Sequence, residues 1–251
     1  MELNDFNSKQ TESIGTAIRL YKVVDHITCQ IAGSDLINIC EICLEFMQKY
    51  AGANIAKIAK NSSRKYVSID NFYKLINDAK PIFNFRAYCK NEKYYYKPIS
   101  TDNPYNPTPP TNIYYENELL DCSEKDKNTE EYKKKKGYIS IIMCLKNYYI
   151  DDTTIVEFIK KLYPVLNIDY GHAFNWEKDH HINPIGEYLM ENILGITSKE
   201  IYSFDVEKLY ELNSGHVPKI FKFNILNDSQ RKSLNIESTI KITDDLQLYM
   251  E

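Results

Sequence analysis

Apolar positions along this chain keep two different rhythms. From Ala17 to Ile31 (AIRLYKVVDHITCQI) β-branched residues dominate, with a break near Asp25-His26, and the pattern predicts a long strand or a hairpin. From Asp35 to about Tyr50 the spacing turns helical. Leu36, Ile39, Cys40, Cys43, Leu44 and Met47 recur on one stripe, with Ser34 placed to cap the start and Gly52 to stop the end. A short strand over 65–69, a short helix over 71–79 halted before Pro81, and a strand over 82–89 (IFNFRAYC) are expected next. The first fifteen residues are polar and read as a loose arm.

Residues 98–136 break both rhythms. PISTDNPYNPTPPTN holds five prolines, which cannot sustain a helix or a ladder. The stretch ENELLDCSEKDKNTEE then sets seven acids against two lysines, and Lys133–Lys136 follow directly. Opposite runs this close nearly cancel each other's field, so the lysines read as a solvated face rather than a phosphate stripe. The whole span reads as a surface excursion or linker.

After Gly137 the continuous apolar run YISIIMCLKNYYI predicts a buried strand. Asp151-Asp152-Thr153-Thr154 opens a helix, with Thr154 and Glu157 at capping-box spacing and Ile155, Phe158, Ile159, Leu162 and Leu166 on its buried face. IDYGHAFNW (168–176) reads as a strand. A helix opens at Asn183-Pro184 and closes at Gly195, and another over 205–213 stops at Gly215. Strands over 217–226 and 238–243 enclose a helical turn from Asn227. The predicted fold is therefore α+β, with antiparallel or mixed sheets packed with amphipathic helices in two similar halves. The halves span 1–97 and 137–251, separated by the excursion at 98–136, or the whole is one continuous domain.

Composition narrows the function. With 251 residues, 43% hydrophobic and 26% charged, the chain can bury a core without disulfides or metal. The net charge of −4 argues against general nucleic-acid binding, which needs a basic footprint. No apolar run approaches a membrane span and no secretory leader opens the sequence, so a cytoplasmic, non-membrane protein is expected. Six cysteines over this length suit free thiols in a reducing compartment. Glycine is sparse, at 8 residues, and neither GxGxxG nor GxxxxGK[ST] occurs, so no nucleotide cofactor is expected. Tyrosine is abundant, at 21 residues, and its apolar ring with a polar tip suits contact surfaces.

The densest polar group is Asp169, His172, Asp179, His180 and His181, with three of the five histidines inside ten residues. Such a set could ligate a metal for hydrolysis. Asp179-His180-His181 also matches the short signature of DHH phosphoesterases, although the companion aspartate motifs of those enzymes are not found. The other reading is a solvated loop before a helix capped at Asn183. Cys40-x-x-Cys43 falls inside a helical stripe rather than at a helix N-terminus, and no second pair completes a zinc site, so both read as core thiols. Cys144 lies in the buried strand, and Cys29, Cys89 and Cys122 have no local histidine. No GxSxG elbow is present, and the chain is not read as an enzyme.

The order of the C-terminal half resembles immunity proteins of bacterial polymorphic and type VI secreted toxins. The features are a helix followed by Asp169-Tyr170-Gly171 and an aromatic strand, then Gly215-His216-Val217-Pro218-x-Ile220-Phe221 running into Asn224-Ile225-Leu226. The match spans roughly 137–236. The long middle excursion departs from the family pattern, and so does the missing late arginine. The resemblance implies a protein that neutralises a cognate protein toxin by direct binding. The partner surface is expected around Tyr170, His172, Trp176, Asp179, His180 and His181, where Trp176 alternatively fills a core. A metal-dependent hydrolase using the Asp/His cluster and a structural or phage-derived accessory protein are the competing readings.

Overall fold

The computed structural model describes residues 14–52, 55–61, 65–76, 81–89, 112–146, 148–177, 210–217 and 220–251. In chain order its elements are β1 (Ile14–Val24), α1 (Gly33–Ala51), β2 (Ile55–Lys60), β3 (Val67–Ser68), α2 (Ile69–Ile76), β4 (Asn84–Cys89) and β5 (Asn112–Asn117). These are followed by α3 (Glu130–Lys134), β6 (Gly137–Lys146), α4 (Asp152–Leu166), β7 (Tyr170–Glu177), β8 (Phe223–Asn227), α5 (Asp228–Ser233), β9 (Ile240–Lys241) and β10 (Leu246–Met250). Short 3-10 turns cover Leu119–Asp121, Asp126–Asn128 and Tyr210–Ser214.

The strands form one antiparallel sheet in the order β3-β2-β4-β5-β6-β1-β7-β8-β10-β9. The α+β expectation holds, with the sheet dominant. The two similar halves are not seen. β1, from the first half, pairs along its length with β6 on one edge and with β7 on the other, both from the second half. The sheet therefore runs unbroken through the junction where a division was expected.

Period-two alternation divides the sheet into two faces. Ile18, Leu20 and Val24 of β1, Ile139, Ile141, Met143 and Leu145 of β6, and Phe223 and Ile225 of β8 face the main core. Helices α1, α2 and α4 cover this face. α1 buries Leu36, Ile39, Cys40, Cys43, Phe46 and Met47, close to the predicted stripe. Leu44 lies at the stripe's edge and is half-buried, whereas Phe46 is buried because α4 packs there, with its ring 4.3 Å from that of Phe158. The helix starts at Gly33 without a side-chain cap, so Ser34 is in the first turn rather than before it. Gly52 ends the helix as predicted, in the left-handed region at φ 59°. On α4 the cap is Asp151, whose carboxylate accepts the Thr154 N–H at 2.7 Å, so Thr154 is the capped residue rather than the cap. A polar clasp seats the entry to α4 on the sheet. The Thr16 hydroxyl lies 2.6 Å from Asn175 Oδ1 and 2.7 Å from the Tyr148 carbonyl, and Asn175 Nδ2 donates to the Ile150 carbonyl at 2.9 Å.

Part of the span read as an excursion is core. Asn112–Asn117 forms β5 between β4 and β6, burying Ile113 and Tyr115, and Leu119 and Tyr132 are buried behind it. Asn117 Nδ2 donates to the Cys29 carbonyl at 2.7 Å, fastening this segment to the turn after β1. Six alternating residues between a proline-rich run and an acidic run give too weak a local signal to read as a strand. β2 and β10 were likewise unforeseen, being short and assigned only by their neighbours. The helix expected over 183–195 and the proline-rich run lie outside the described residues. Of the helix expected over 205–213, the described part is the 3-10 turn at Tyr210–Ser214.

Gly171 shows how closely β1 and β7 approach. It is paired between Leu20 and Ile225, whose side chains lean into the space it leaves. A Cβ there would sit 2.6 Å from Leu20 Cδ2, 2.9 Å from Ile225 Cδ1 and 3.1 Å from the Arg19 carbonyl oxygen. Gly171→Val should therefore destabilise the protein by about 1–3 kcal/mol through overpacking, read as a lower urea midpoint at unchanged slope. An unshifted midpoint would reject this packing. The α1 thiols give a second expectation. Burial pushes Cys40 up to about 12 and Cys43 well above the ordinary thiol range. Mass-resolved alkylation of the native protein should label half-buried Cys122 while sparing Cys29, Cys40, Cys43 and Cys144 until denaturant is added.

Candidate functional site

The sheet face opposite the helices carries polar and aromatic side chains in two cross-strand rows. One row runs Glu116 (β5), Ser140 (β6), Tyr21 (β1), Tyr170 (β7) and Leu226 (β8). The other runs Arg86 (β4), Tyr114 (β5), Ile142 (β6), Arg19 (β1), His172 (β7) and Asn224 (β8). The pleat puts both rows on the same side, because their members on each strand are two residues apart.

Arg19 is the centre of this face and is only 8% exposed. Its guanidinium carbon lies 4.8 Å from the centroid of the Tyr21 ring, an attraction worth roughly 0.5–2 kcal/mol at a desolvated site. Tyr21 stacks on Tyr170 at 6.0 Å and meets Tyr138 edge-on at 6.2 Å. His172 lies flat on Phe221 at 3.9 Å, with Phe174 stacked beyond at 5.6 Å. Phe221 is held in place by Asn224, whose Oδ1 accepts the Phe221 N–H at 2.8 Å and whose Nδ2 donates back to the Phe221 carbonyl. Leu212, Val217 and Ile236 pack against Tyr21, Tyr170 and Leu226 from above the sheet.

The electrostatics are those of burial. Desolvation raises the phenols of Tyr21 and Tyr170, and nearby Arg19 offsets it only in part. Desolvation also raises Glu116, opposed by the hydrogen bond that the Tyr114 hydroxyl donates to it at 3.3 Å and by the charge of Arg19. Cys144, on the same face beside Ala17, is pushed up to about 12 by burial. These shifts favour the neutral forms, so the phenols and the thiol are held away from their nucleophilic state.

The residues singled out from sequence are distributed as follows. Tyr170 and His172 belong to this face but are buried in it, so neither offers contact area to a partner. Asp169 is committed elsewhere. Its carboxylate takes the Lys22 ammonium at 3.2 Å and accepts the Val23 N–H at 2.8 Å, while its own N–H donates to the Tyr21 carbonyl at 2.9 Å. It clasps β1 to the start of β7. The backbone of Trp176 lies in β7, opposite Gly15. Asp179, His180 and His181 lie outside the described residues, as does the side chain of Trp176. Among the described residues no three His, Cys, Asp or Glu side chains converge as a metal would need, and Asp169 and His172 are held on different partners. No helix among them is long and apolar enough to cross a membrane. The sequence reading missed Arg19, Tyr21 and Glu116. The signal available was a lone arginine inside the alternation of a strand otherwise destined for burial.

Because burial raises Glu116 in the folded state, the folded protein holds this proton more tightly than the unfolded chain. Its contribution therefore favours folding less as pH rises past the ordinary glutamate value of about 4.3. Glu116→Gln should remove that slope, so the variant gains stability relative to wild type as pH rises from 4 to 7. Urea titrations across that range test it, and an identical slope in both proteins would contradict the desolvation of Glu116.

No protein-family model and no curated protein sequence matches this chain. Among solved structures, a Pseudomonas aeruginosa T6SS protein is similar in fold, with a TM-score of 0.50 and 8% sequence identity. The likeness covers 94% of this chain and 68% of that one.

Proposed function

We propose that this protein is a toxin-neutralising immunity protein that acts by direct protein–protein binding and not by turnover. One observation carries the reading. The fold likeness to a T6SS protein covers 94% of this chain, whose segment 137–236 resembles in residue order the immunity proteins of type VI secreted toxins. The metal-dependent hydrolase reading loses Asp169, which the Lys22 and Val23 contacts already engage.

In this reading the cognate toxin docks at the end of β7, through Trp176, Asp179, His180 and His181, while Tyr170 and His172 stiffen the sheet beneath. A large aromatic at the centre of an interface typically supplies a disproportionate share of affinity. The test is co-expression with each protein encoded by a gene neighbouring this one, assayed for toxicity. Survival of the producing cell and a stable purified complex are expected, both unaffected by chelator. Trp176→Ala should weaken the complex about tenfold or more while leaving the melting temperature near wild type. Protection without a complex, or protection lost to chelator, would reject binding as the mechanism and favour the hydrolase. Absence of both protection and complex would leave the accessory-protein reading.

A further inference from the structure

On the outer side of the helix layer, α1 and α4 leave a groove of about 300 Å³. Its floor is apolar and aromatic, made by Ile42, Phe46, Tyr50 and Phe158. Its rims carry four exposed charges, with Glu45 and Lys49 on α1 and Glu157 and Lys161 on α4. Lys49 pairs with Glu157 at 3.9 Å and Lys161 with Glu45 at 3.7 Å. The higher number on one helix thus meets the lower on the other, so the two helices run antiparallel.

That register produces a particular charge pattern. Each helix presents a glutamate one turn ahead of a lysine, and the antiparallel arrangement sets unlike charges across the groove as well as along it. The four charges alternate around the corners of a quadrilateral. A two-fold axis lying along the groove lays α1 of one copy over α4 of another. Glu45 of each copy then faces Lys161 of the other, and Lys49 faces Glu157, so all four corners meet unlike charges. An isologous interface requires a surface complementary to itself in this way. The same pairs do little for the fold itself. All four side chains are 59–70% exposed, and ion pairs at such sites are worth about 0–1 kcal/mol. Across an interface they would set the register, while the half-buried Ile42 and Tyr50 at the groove floor are covered.

We propose that the α1–α4 face is a homodimer interface, occupied by the same face of a second copy of this chain about a two-fold axis along the groove. The inference does not depend on the immunity reading.

Light scattering coupled to size exclusion, with sedimentation across a dilution series, tests it on the intact protein. Wild type should run at twice the 29.4 kDa chain mass. The double variant Glu45→Lys with Glu157→Lys makes every corner positive and should be monomeric. The double variant Lys49→Glu with Lys161→Glu makes every corner negative and should also be monomeric. Mixing the two should restore a complex of doubled mass. Combining all four substitutions inverts every sign, keeps the self-complementary pattern and should regain the dimer. Circular dichroism and melting curves of each variant distinguish loss of assembly from loss of fold. Wild type monomeric throughout the series would overturn the proposal. So would a dimer indifferent to either double variant, or folded single-sign variants that fail to associate when mixed. A monomeric wild type whose double variants lose toxin binding would assign the face to the toxin instead, and that result also overturns the dimer.

Discussion

β1 is hydrogen-bonded on both edges, and the rest of the sheet depends on that. A strand enclosed on both edges leaves few backbone groups to water, so its N–H and C=O groups find partners in β6, in β7 or, past Tyr21, in Asp169. Those partners come from far along the chain, and fixing them joins its N-terminal part to everything after Gly137. Asp169 completes the join by holding Lys22 and the Val23 N–H where β7 begins. Gly171 permits the close approach that lets Leu20 and Ile225 share one space across three strands.

The two faces built on that strand have opposite characters. One is an apolar layer roofed by α1, α2 and α4, where each fully buried aliphatic side chain contributes roughly 1.5–3 kcal/mol. The other buries an arginine, a histidine and a set of tyrosine rings. Burying a guanidinium is costly unless its surroundings supply compensating negative charge or π density. Tyr21 supplies the second and Glu116 the first, at the expense of desolvating its own carboxylate. Polar groups of this kind are intolerant of shifts in register, because a one-residue slip would move Arg19 into the apolar layer and Leu20 out of it.

The proposed binding role asks for a stiff frame more than for reactive groups. The ten-stranded sheet provides the frame, and its edges are closed by strands of two residues, β3 and β9, which offer little template for further pairing.

The long helices α1 and α4 were legible in the sequence because their signals are local. The α1 stripe, the Gly52 stop, the buried face of α4 and the inert position of Cys40 and Cys43 all follow from residues within a few turns of one another. Long strands such as β1 and β6 were legible for the same reason. The strand order was not, because pairing energy arises only between segments distant in the chain. β5 was lost for a related cause, since only its neighbours β4 and β6 turn six residues beside a proline-rich run into an inner strand. Tyr170 and His172 were expected at a partner surface, yet the fold buries them. The alternation of Ala17, Arg19, Tyr21 and Val23 against Ile18, Leu20 and Val24 fixes which side chains share a face. Only the tertiary structure decides that Glu116, Tyr170 and His172 meet them there, because a charged side chain's environment is set by the strands that come to lie beside it.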